Sequence, residues 1–242
     1  MIAGTGNGTQ AASPVEGLLL VDKPAGVTSH DMVLAARRAY GERSIGHLGT
    51  LDPFATGLLV MLLGRATRLA QFIDSEPKVY EATIRFGTET DTDDATGTVT
   101  RSAPLPDATS VRESVSRFTG DLMQVPPAYS AKSSGGTRAY DAARQGEPLE
   151  LPPAAVTVHS WEIQDQRDES LSAIITCGGG TYIRALARDL GRAAGSAAHL
   201  ASLRRTRCGR FDVADAASLE DLRNSPPPLL TLTVVAGAAS DA

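Results

Sequence analysis

Residues 46–64 read GHLGTLDPFATGLLVMLLG and join a glycine-bounded loop to a long apolar run. An apolar run of this kind is typical of a buried strand. In the loop, Asp52 follows Leu51 and precedes Pro53 and Phe54, so its sequence neighbours are apolar. A carboxylate in such surroundings loses water and becomes protonated unless a cation lies close to it. Because Asp-Pro also opens many turns, these residues alone are compatible with a structural turn and with a functional carboxylate.

The residues on either side of this loop alternate between predicted strands and helices. Before it, residues 17–26 (GLLLVDKPAG) predict a short buried strand, and Thr28 and Ser29 predict the start of a helix that ends near Tyr40. After the apolar run, a short helix is predicted over residues 65–72. Residues 78–86 alternate between two faces, which predicts a half-buried strand. Its core face carries Tyr80, Ala82, Ile84 and Phe86.

The second half of the chain continues the mixture. Asp107 predicts the N-cap of a helix, and strands are predicted near residues 155–164 and 170–177. A helix follows over residues 181–194, then an arginine-rich edge strand over residues 203–211 and a last helix that begins near residue 218. Separated strands interleaved with helices predict an α+β fold with a mixed, largely antiparallel sheet and flanking helices.

Charge is distributed unevenly along the chain. With 242 residues and 42% hydrophobic content, the length fits one large domain, and the net charge of −5 argues against a nucleic-acid partner. However, residues 74–100 carry a local charge of −5, whereas residues 184–210 contain seven bases and one acid. The basic segment is a candidate anion-binding face, with a solvated helix face as the alternative interpretation.

Several classes of protein are not expected. Cys177 and Cys208 provide no disulfide framework and, with the four histidines, no metal-ligand spacing, so no metal is predicted. The sequence contains no Walker or Rossmann loop, so no nucleotide cofactor is predicted either. No run approaches the roughly 18 apolar residues of a membrane span. Residues 1–16 lack the features of a signal peptide and are interpreted as a flexible leader. A cytoplasmic protein is expected.

Seven stretches carry a resemblance to a known family. They occur in the family's order between about residues 17 and 211: GLLLVDKPAGVTSHD, GHLGTLDPFATGLL, KVYEATIRFGTETDTDDATG, QVPPAYSA, RAYDAARQGE, GGGTYIRALARDLG and HLASLRRTRCG. Together they resemble the TruB family, the bacterial tRNA pseudouridine-55 synthases. The resemblance implies the pseudouridine synthase fold and a cofactor-free isomerisation. A uridine of the tRNA T-loop would flip out, lose its N1–C1′ bond and be rejoined through C5.

The same resemblance implies roles for individual residues. Asp52 matches the family's catalytic aspartate, a nucleophile whose target, sugar or base, the sequence does not decide. Arg184 matches the arginine that pairs with this aspartate, which would keep the carboxylate ionised in an apolar site. Tyr80 matches the tyrosine that stacks on the target base, with a plain core aromatic as the alternative.

Further positions match residues that bind the RNA or support the site. His47 matches a histidine that contacts the T-loop and is not a general base. Tyr182 and Leu203 match residues of the uracil pocket, although Leu203 is also compatible with a core role. Lys23 is a possible support near the site, with a purely structural role as the alternative. Arg188 and Arg205 are further possible supporting residues.

The domain organisation follows from the same comparison. Residues 17–211 are expected to form the catalytic domain, with a protruding RNA-binding insertion at about 124–153. There the family's first lysine is displaced by one position to Lys132, and its second lysine is replaced by Thr137. Residues 212–242 form a short tail in which a complete PUA-type domain is not expected. The predicted partner is the T-stem-loop of tRNA, and a monomer without a protein partner is expected. Alternatives are an RNA chaperone without turnover and a synthase that acts on another RNA.

Overall fold

The apolar run after the Asp52 loop forms β3 (Thr56–Leu63), which pairs antiparallel with β1 (Gly17–Lys23) over its whole length. The computed structural model describes residues 15–130, 132–134, 137–147 and 149–231. Most of the predicted leader therefore lies outside the described residues. Side chains on both faces of β1 and β3 are buried, which explains why their sequences are continuously apolar rather than alternating.

Within the described residues, a ten-stranded mixed sheet contains most of the remaining strands, and five α-helices accompany it. Its strands run in the order β14-β1-β3-β12-β4-β11-β10-β7, with β2 paired to β3 and β13 to β12. The pairs β1–β14 and β3–β12 are parallel and the others are antiparallel. The predicted α+β class is confirmed. The bounds of the other strands in this sheet are β2 (Ile45–Leu48), β4 (Lys78–Phe86), β7 (Gly120–Gln124), β10 (Ala154–Arg167), β11 (Ser170–Cys177), β12 (Ala198–Cys208), β13 (Phe211–Asp212) and β14 (Ala217–Ser218).

Two short hairpins and the helices complete the elements. The hairpins are β5 (Thr88–Thr90) with β6 (Val99–Ser102), and β8 (Ser133–Ser134) with β9 (Thr137–Arg138). The helices are α1 (Ser29–Tyr40), α2 (Ala108–Arg117), α3 (Ala139–Arg144), α4 (Ile183–Ala193) and α5 (Leu219–Asn224). The helix predicted over residues 65–72 is a 3-10 helix over Gly64–Phe72.

Helices cover the sheet on two sides and create separate cores. On the face of β4 that was predicted to be buried, Tyr80, Ala82, Ile84 and Phe86 pack against residues of α2 and α4. At the other end of the sheet, α1 and α5 pack on one face of β1 and β3. Thr28 caps α1 as predicted, and its hydroxyl oxygen accepts a hydrogen bond from the Asp31 N–H.

The prediction that residues 203–211 form an edge strand is wrong. Most of them belong to β12, which lies inside the sheet between β3 and β4. An arginine-rich strand is stable there because its arginines have partners: Arg204 pairs with Asp22, and Arg205 donates to backbone carbonyls. Two irregularities in the pairing of β12 with β4 interrupt the regular alternation of its side chains.

The close parallel contact between β3 and β12 depends on Gly57. A Cβ at this position would clash with the Arg205 carbonyl oxygen, and the φ of +103° also favours glycine. The glycine that ends the Asp52 loop thus lets β12 approach the start of β3.

Residues beyond the predicted catalytic domain continue into the same sheet. β14 pairs with β1, Leu222 of α5 is fully buried, and the Tyr40 hydroxyl donates to the Pro227 carbonyl. That residues 124–153 protrude from the domain stays a prediction. No helix within the described residues is long and apolar enough to cross a membrane.

Candidate active site

The loop that carries Asp52 is held at both sides by buried polar groups. The Ser29 hydroxyl donates to the Leu51 carbonyl at 3.0 Å and accepts from the Leu51 N–H at 2.9 Å. Lys23 and the Gly26 N–H both donate to the Pro53 carbonyl. The backbone on either side of Asp52 is thereby fixed, while its carboxylate projects from the loop with a third of the side chain exposed.

Arg184 is the cation that pairs with Asp52. It lies in the first turn of α4 and is 4% exposed. Its Nε and Nη2 donate to the two carboxylate oxygens of Asp52 at 2.8 and 2.9 Å, a bidentate geometry. The same guanidinium donates to the carbonyls of Thr92 and Tyr129, both at 2.9 Å. Two separate loops therefore orient the group that holds Asp52.

Asp94 is a buried member of the site that the sequence analysis did not single out. One of its carboxylate oxygens lies 3.9 Å from Nε of Arg184. The other accepts from the Thr92 hydroxyl and from the backbone and hydroxyl of Thr96. Because Asp94 is one of several acids in residues 87–98, the acidic turn, its sequence context does not distinguish it from surface carboxylates.

The basic segment and the acidic turn meet in the fold. Arg184, Arg188 and Arg192 follow one another at single-turn spacing on α4. Their carboxylate partners come from the acidic turn and from the Asp52 loop. Farther along, Arg204 and Arg207 pair with Asp22 and Asp212. Five of the seven arginines in residues 184–210 are thus paired with carboxylates, although Arg192 and Arg207 stay more than half exposed. That this segment binds anions stays a prediction.

Tyr80 is buried on β4, with its Cα opposite that of Arg205 on β12. Burial raises the pKa of Tyr80 to about 12, against the opposing charge of Arg205, so the phenol is protonated at neutral pH. Arg205 itself is 1% exposed and donates to the carbonyls of Leu58 and Gly49. It therefore connects the strand that carries Tyr80 to the loop that carries Asp52.

Lys23 is fully buried at the end of β1. Its ammonium group donates to the carbonyls of Pro24, Val27 and Pro53 at 2.8–3.3 Å. Burial lowers the pKa of Lys23 to about 8, although the nearby Asp52 carboxylate raises it. The contacts place Lys23 behind the Asp52 loop, where it ties the loop to the start of α1.

The two predicted pocket residues lie on different elements. Tyr182 precedes α4, and Gln124 binds both its N–H and its carbonyl, at 2.9 and 3.1 Å. Burial also raises the pKa of the Tyr182 phenol. Leu203 of β12 is buried in the same core cluster as Leu51 and Tyr80. Gln124 was not singled out in the sequence, because its role depends on a contact 58 residues away.

His47 lies on β2, five residues before Asp52. Burial lowers the pKa of this histidine, and the charges of Arg205 and His30 act in the same direction. The imidazole is therefore neutral at neutral pH. Around Asp52 the structure places Arg184, which binds the carboxylate, and Lys23 and Arg205, which donate to carbonyls of the same loop. Arg188 instead contacts the carboxylates of Asp93 and Asp189.

The arrangement is suited to nucleophilic chemistry at an accessible carboxylate. Asp52 is partly exposed and rigidly supported, and its partner guanidinium is buried. A fixed guanidinium of this kind orients the carboxylate, as nucleophilic catalysis requires. Among the residues that the structure describes, no group of three or more acidic, histidine or cysteine side chains could hold a metal ion. A groove of about 660 Å³ includes Phe54 and Leu203 but not Asp52, so it is not the centre of this site.

Two family models match the chain in succession. The model described as the TruB family pseudouridylate synthase, N-terminal domain, matches residues 37–183. The model described as the tRNA pseudouridylate synthase B C-terminal domain matches residues 184–226. The boundary between the models falls at Arg184, so the two partners of the Asp52–Arg184 pair lie in different matched regions.

Curated relatives are similar over most of the chain. A protein from Nocardia farcinica is 47% identical over 90% of this chain and 73% of its own length. One from Thermobifida fusca is 48% identical over 86% of this chain and 74% of its own length. Both carry the name tRNA pseudouridine synthase B.

Solved structures share the fold. A Cbf5-Nop10-Gar1 complex contains a chain with a TM-score of 0.66 and 27% identity, which covers 86% of this chain. An H/ACA RNP bound to a substrate RNA containing 2′-deoxyuridine gives a TM-score of 0.64 at 25% identity, also over 86%. This chain spans about half the length of those chains, 54% and 52%. By the family model that covers more than half of its length and by these relatives, the chain belongs to the TruB family of pseudouridylate synthases.

Proposed function

We propose that this protein converts uridine 55 in the T-loop of tRNA to pseudouridine, with Asp52 as the nucleophile. The observation that carries the proposal is the bidentate pair between the buried Arg184 guanidinium and the partly exposed Asp52 carboxylate. Supporting it, curated relatives of similar sequence are named tRNA pseudouridine synthase B.

The reaction rearranges bonds within one nucleotide and needs no external co-reactant. The target uridine flips out of the T-loop, at a cost that stacking and phosphate contacts offset. The N1–C1′ bond breaks, the uracil rotates, and a C5–C1′ bond forms. The proton leaves C5 and a proton is gained at N1, so the atoms balance. Asp52 acts by attack on C1′ of the sugar or on the base, two routes that share the same residues.

The other residues bind or support. Tyr80 stacks on the flipped base near its C5, and Tyr182 and Leu203 line the uracil pocket. Arg184 orients Asp52, while Lys23 and Arg205 hold the backbone of its loop through their carbonyl contacts. His47 contacts the T-loop as a neutral imidazole and is not a general base. Arg188 supports the site from the next turn of α4.

RNA contacts outside the pocket come from residues 124–153 and from the exposed edges of the catalytic domain, residues 17–211. The partner is the T-stem-loop of tRNA, and the protein acts in the cytoplasm as a monomer without a cofactor. Because most arginines of the 184–210 segment are paired internally, shape and stacking carry more of the affinity than phosphate contacts do.

The test is conversion of a T-stem-loop transcript by the pure protein, measured by mass spectrometry of the digested nucleosides. A transcript with cytidine at position 55 is the control for site selection. We expect pseudouridine only from the transcript with uridine 55, and none with Asp52→Asn. That variant is expected to bind the transcript within a few fold of the wild type. Binding without any conversion by the wild type would contradict the proposal and indicate an RNA chaperone.

A further inference from the structure

Arg188 has a set of contacts that parallels that of Arg184 one helical turn away. Its side chain is 11% exposed, and Nη1 donates to Asp93 at 2.9 Å. Nη2 donates to the Val125 carbonyl at 3.0 Å, and Nε donates to the adjacent Asp189. Like Arg184, it therefore joins α4 to the acidic turn and to the segment that follows β7.

Asp93 directly follows Thr92, whose carbonyl accepts from Arg184. It is the non-glycine residue with a left-handed backbone among those described, at φ 59°. Its own N–H donates to the Thr90 carbonyl, and its carbonyl accepts from the Leu200 N–H. A strained residue persists only where its surroundings fix it, and the buried ion pair to Arg188 supplies such a constraint.

The two arginines thus bind adjacent residues of one turn. Arg184 binds the Thr92 carbonyl, and Arg188 binds the Asp93 side chain. Arg184 also binds the Tyr129 carbonyl, four residues beyond the Val125 carbonyl that Arg188 binds. If the acidic turn or the segment after β7 moved at its contact with Arg188, a carbonyl that accepts a hydrogen bond from Arg184 would move as well. The guanidinium that faces Asp52 would then shift with this carbonyl.

We propose that the Asp93–Arg188 ion pair is a positioning device that fixes the Arg184 guanidinium in register with Asp52. The inference rests on the proposed function, because its main consequence is a loss of turnover. Asp93 and Arg188 are positioning residues, since neither is placed in contact with the substrate.

The charges around Asp93 give this pair a pH dependence. Arg188, Arg184 and Arg192 face its carboxylate and favour ionisation, while Asp189 opposes it. Burial outweighs the arginines and raises the pKa of Asp93 to about 6. Below that pH the carboxylate is protonated, the ion pair is lost and the single-turnover rate should fall. Asp93→Asn removes the titrating group, so the single-turnover rate of this variant should not show the same fall at acid pH.

The experiment compares single-turnover rates and RNA dissociation constants between pH 5 and 8. We expect Asp93→Asn to lower the rate roughly tenfold or more, as small misplacements of catalytic groups do, with the dissociation constant within about twofold. The matched control is Arg192→Gln. It removes an ion pair one turn farther from Asp52 and leaves Glu89 bound to Arg101, so at the upper end of this pH range, where Asp93 is ionised in both proteins, the rate should stay near the wild-type value.

A second readout does not depend on turnover. In arginine-labelled protein, the Hε resonance of Arg184 reports its hydrogen bond to Asp52, and we expect it to shift or broaden in Asp93→Asn but not in Arg192→Gln. If the single variant does not fold, Asp93→Asn combined with Arg188→Met removes both charges of the pair and leaves only the partly exposed Asp189 without its arginine. This double variant is expected to give the same result. A wild-type rate and an unchanged Arg184 resonance would overturn the positioning role. Failure of the wild type to convert uridine would overturn the proposed function. The Arg184 resonance would still test the positioning role of the Asp93–Arg188 pair.

Discussion

The Arg184 guanidinium is almost fully buried, whereas the Asp52 carboxylate that it binds through two hydrogen bonds is one-third exposed. This difference in exposure indicates that the two residues of the pair have different roles. Arg184 also donates to two backbone carbonyls, which hold its guanidinium in place, and Asp52 is the partner that solvent reaches. We therefore expect the carboxylate, rather than the guanidinium, to be the group that a substrate can approach.

Arg184→Lys tests this division. Lysine keeps the charge, but its single ammonium cannot reproduce a bidentate contact together with donation to the Thr92 and Tyr129 carbonyls. We expect the single-turnover rate to fall by at least about 10²-fold and the free energy of unfolding by about 1–3 kcal/mol. The control is Arg204→Lys, which alters another bidentate arginine pair, with Asp22, on β12. Equal rates for the two variants would contradict the special role of the Arg184 geometry.

Part of this arrangement was predictable because it depends on local patterns. The alternation in residues 78–86 correctly assigns Tyr80 to the buried face, and Thr28 caps α1 through its own side chain. Both follow from residues that are neighbours in sequence. The buried position of β12 was not predictable in the same way, because burial of Arg205 is allowed only by carbonyls about 150 residues away. The Asp52–Arg184 pair, separated by 132 residues, was anticipated only through the family resemblance.

Ser29→Ala tests the support of the Asp52 loop. The variant leaves the buried N–H and carbonyl of Leu51 without their hydroxyl partner. Unsatisfied buried groups of this kind cost about 1–3 kcal/mol, and we expect that loss in chemical unfolding. The turnover rate should fall as well, because Leu51 precedes Asp52. Ser116→Ala, which removes an exposed hydroxyl on α2, should change neither quantity measurably. A destabilised protein with a wild-type rate would show that the loop keeps its geometry without Ser29.

Lys23 gives a prediction about stability and pH. Its pKa is about 8 in the folded protein, below its ordinary value of 10.5, so the unfolded chain binds the proton more tightly. Stability contributed by this residue therefore rises as the pH increases from 8 to 10.5. The wild type should gain up to about 3 kcal/mol relative to Lys23→Met over that range, at 1.36 kcal/mol per pKa unit. Parallel pH profiles of the two proteins in chemical unfolding would contradict the depressed pKa of Lys23.

The internal pairing of the arginines predicts how RNA binding depends on salt. Each phosphate that a protein neutralises releases counterions and steepens the fall of log affinity with log salt, by about 0.7–0.9 per contact. In residues 184–210, five of seven arginines form ion pairs within the protein, which leaves few of them to bind phosphates. We therefore expect a slope of about −3 or shallower for a T-stem-loop transcript, measured by fluorescence anisotropy between 50 and 300 mM salt. A slope near −9, the value for roughly ten neutralised phosphates, would mean that basic residues outside this segment bind phosphates or that these ion pairs open on binding. The salt dependence of Asp93→Asn separates the two cases: if the Asp93–Arg188 pair opens in the complex of the wild type, it cannot hold Arg184 during the reaction, and the variant should bind with an unchanged slope.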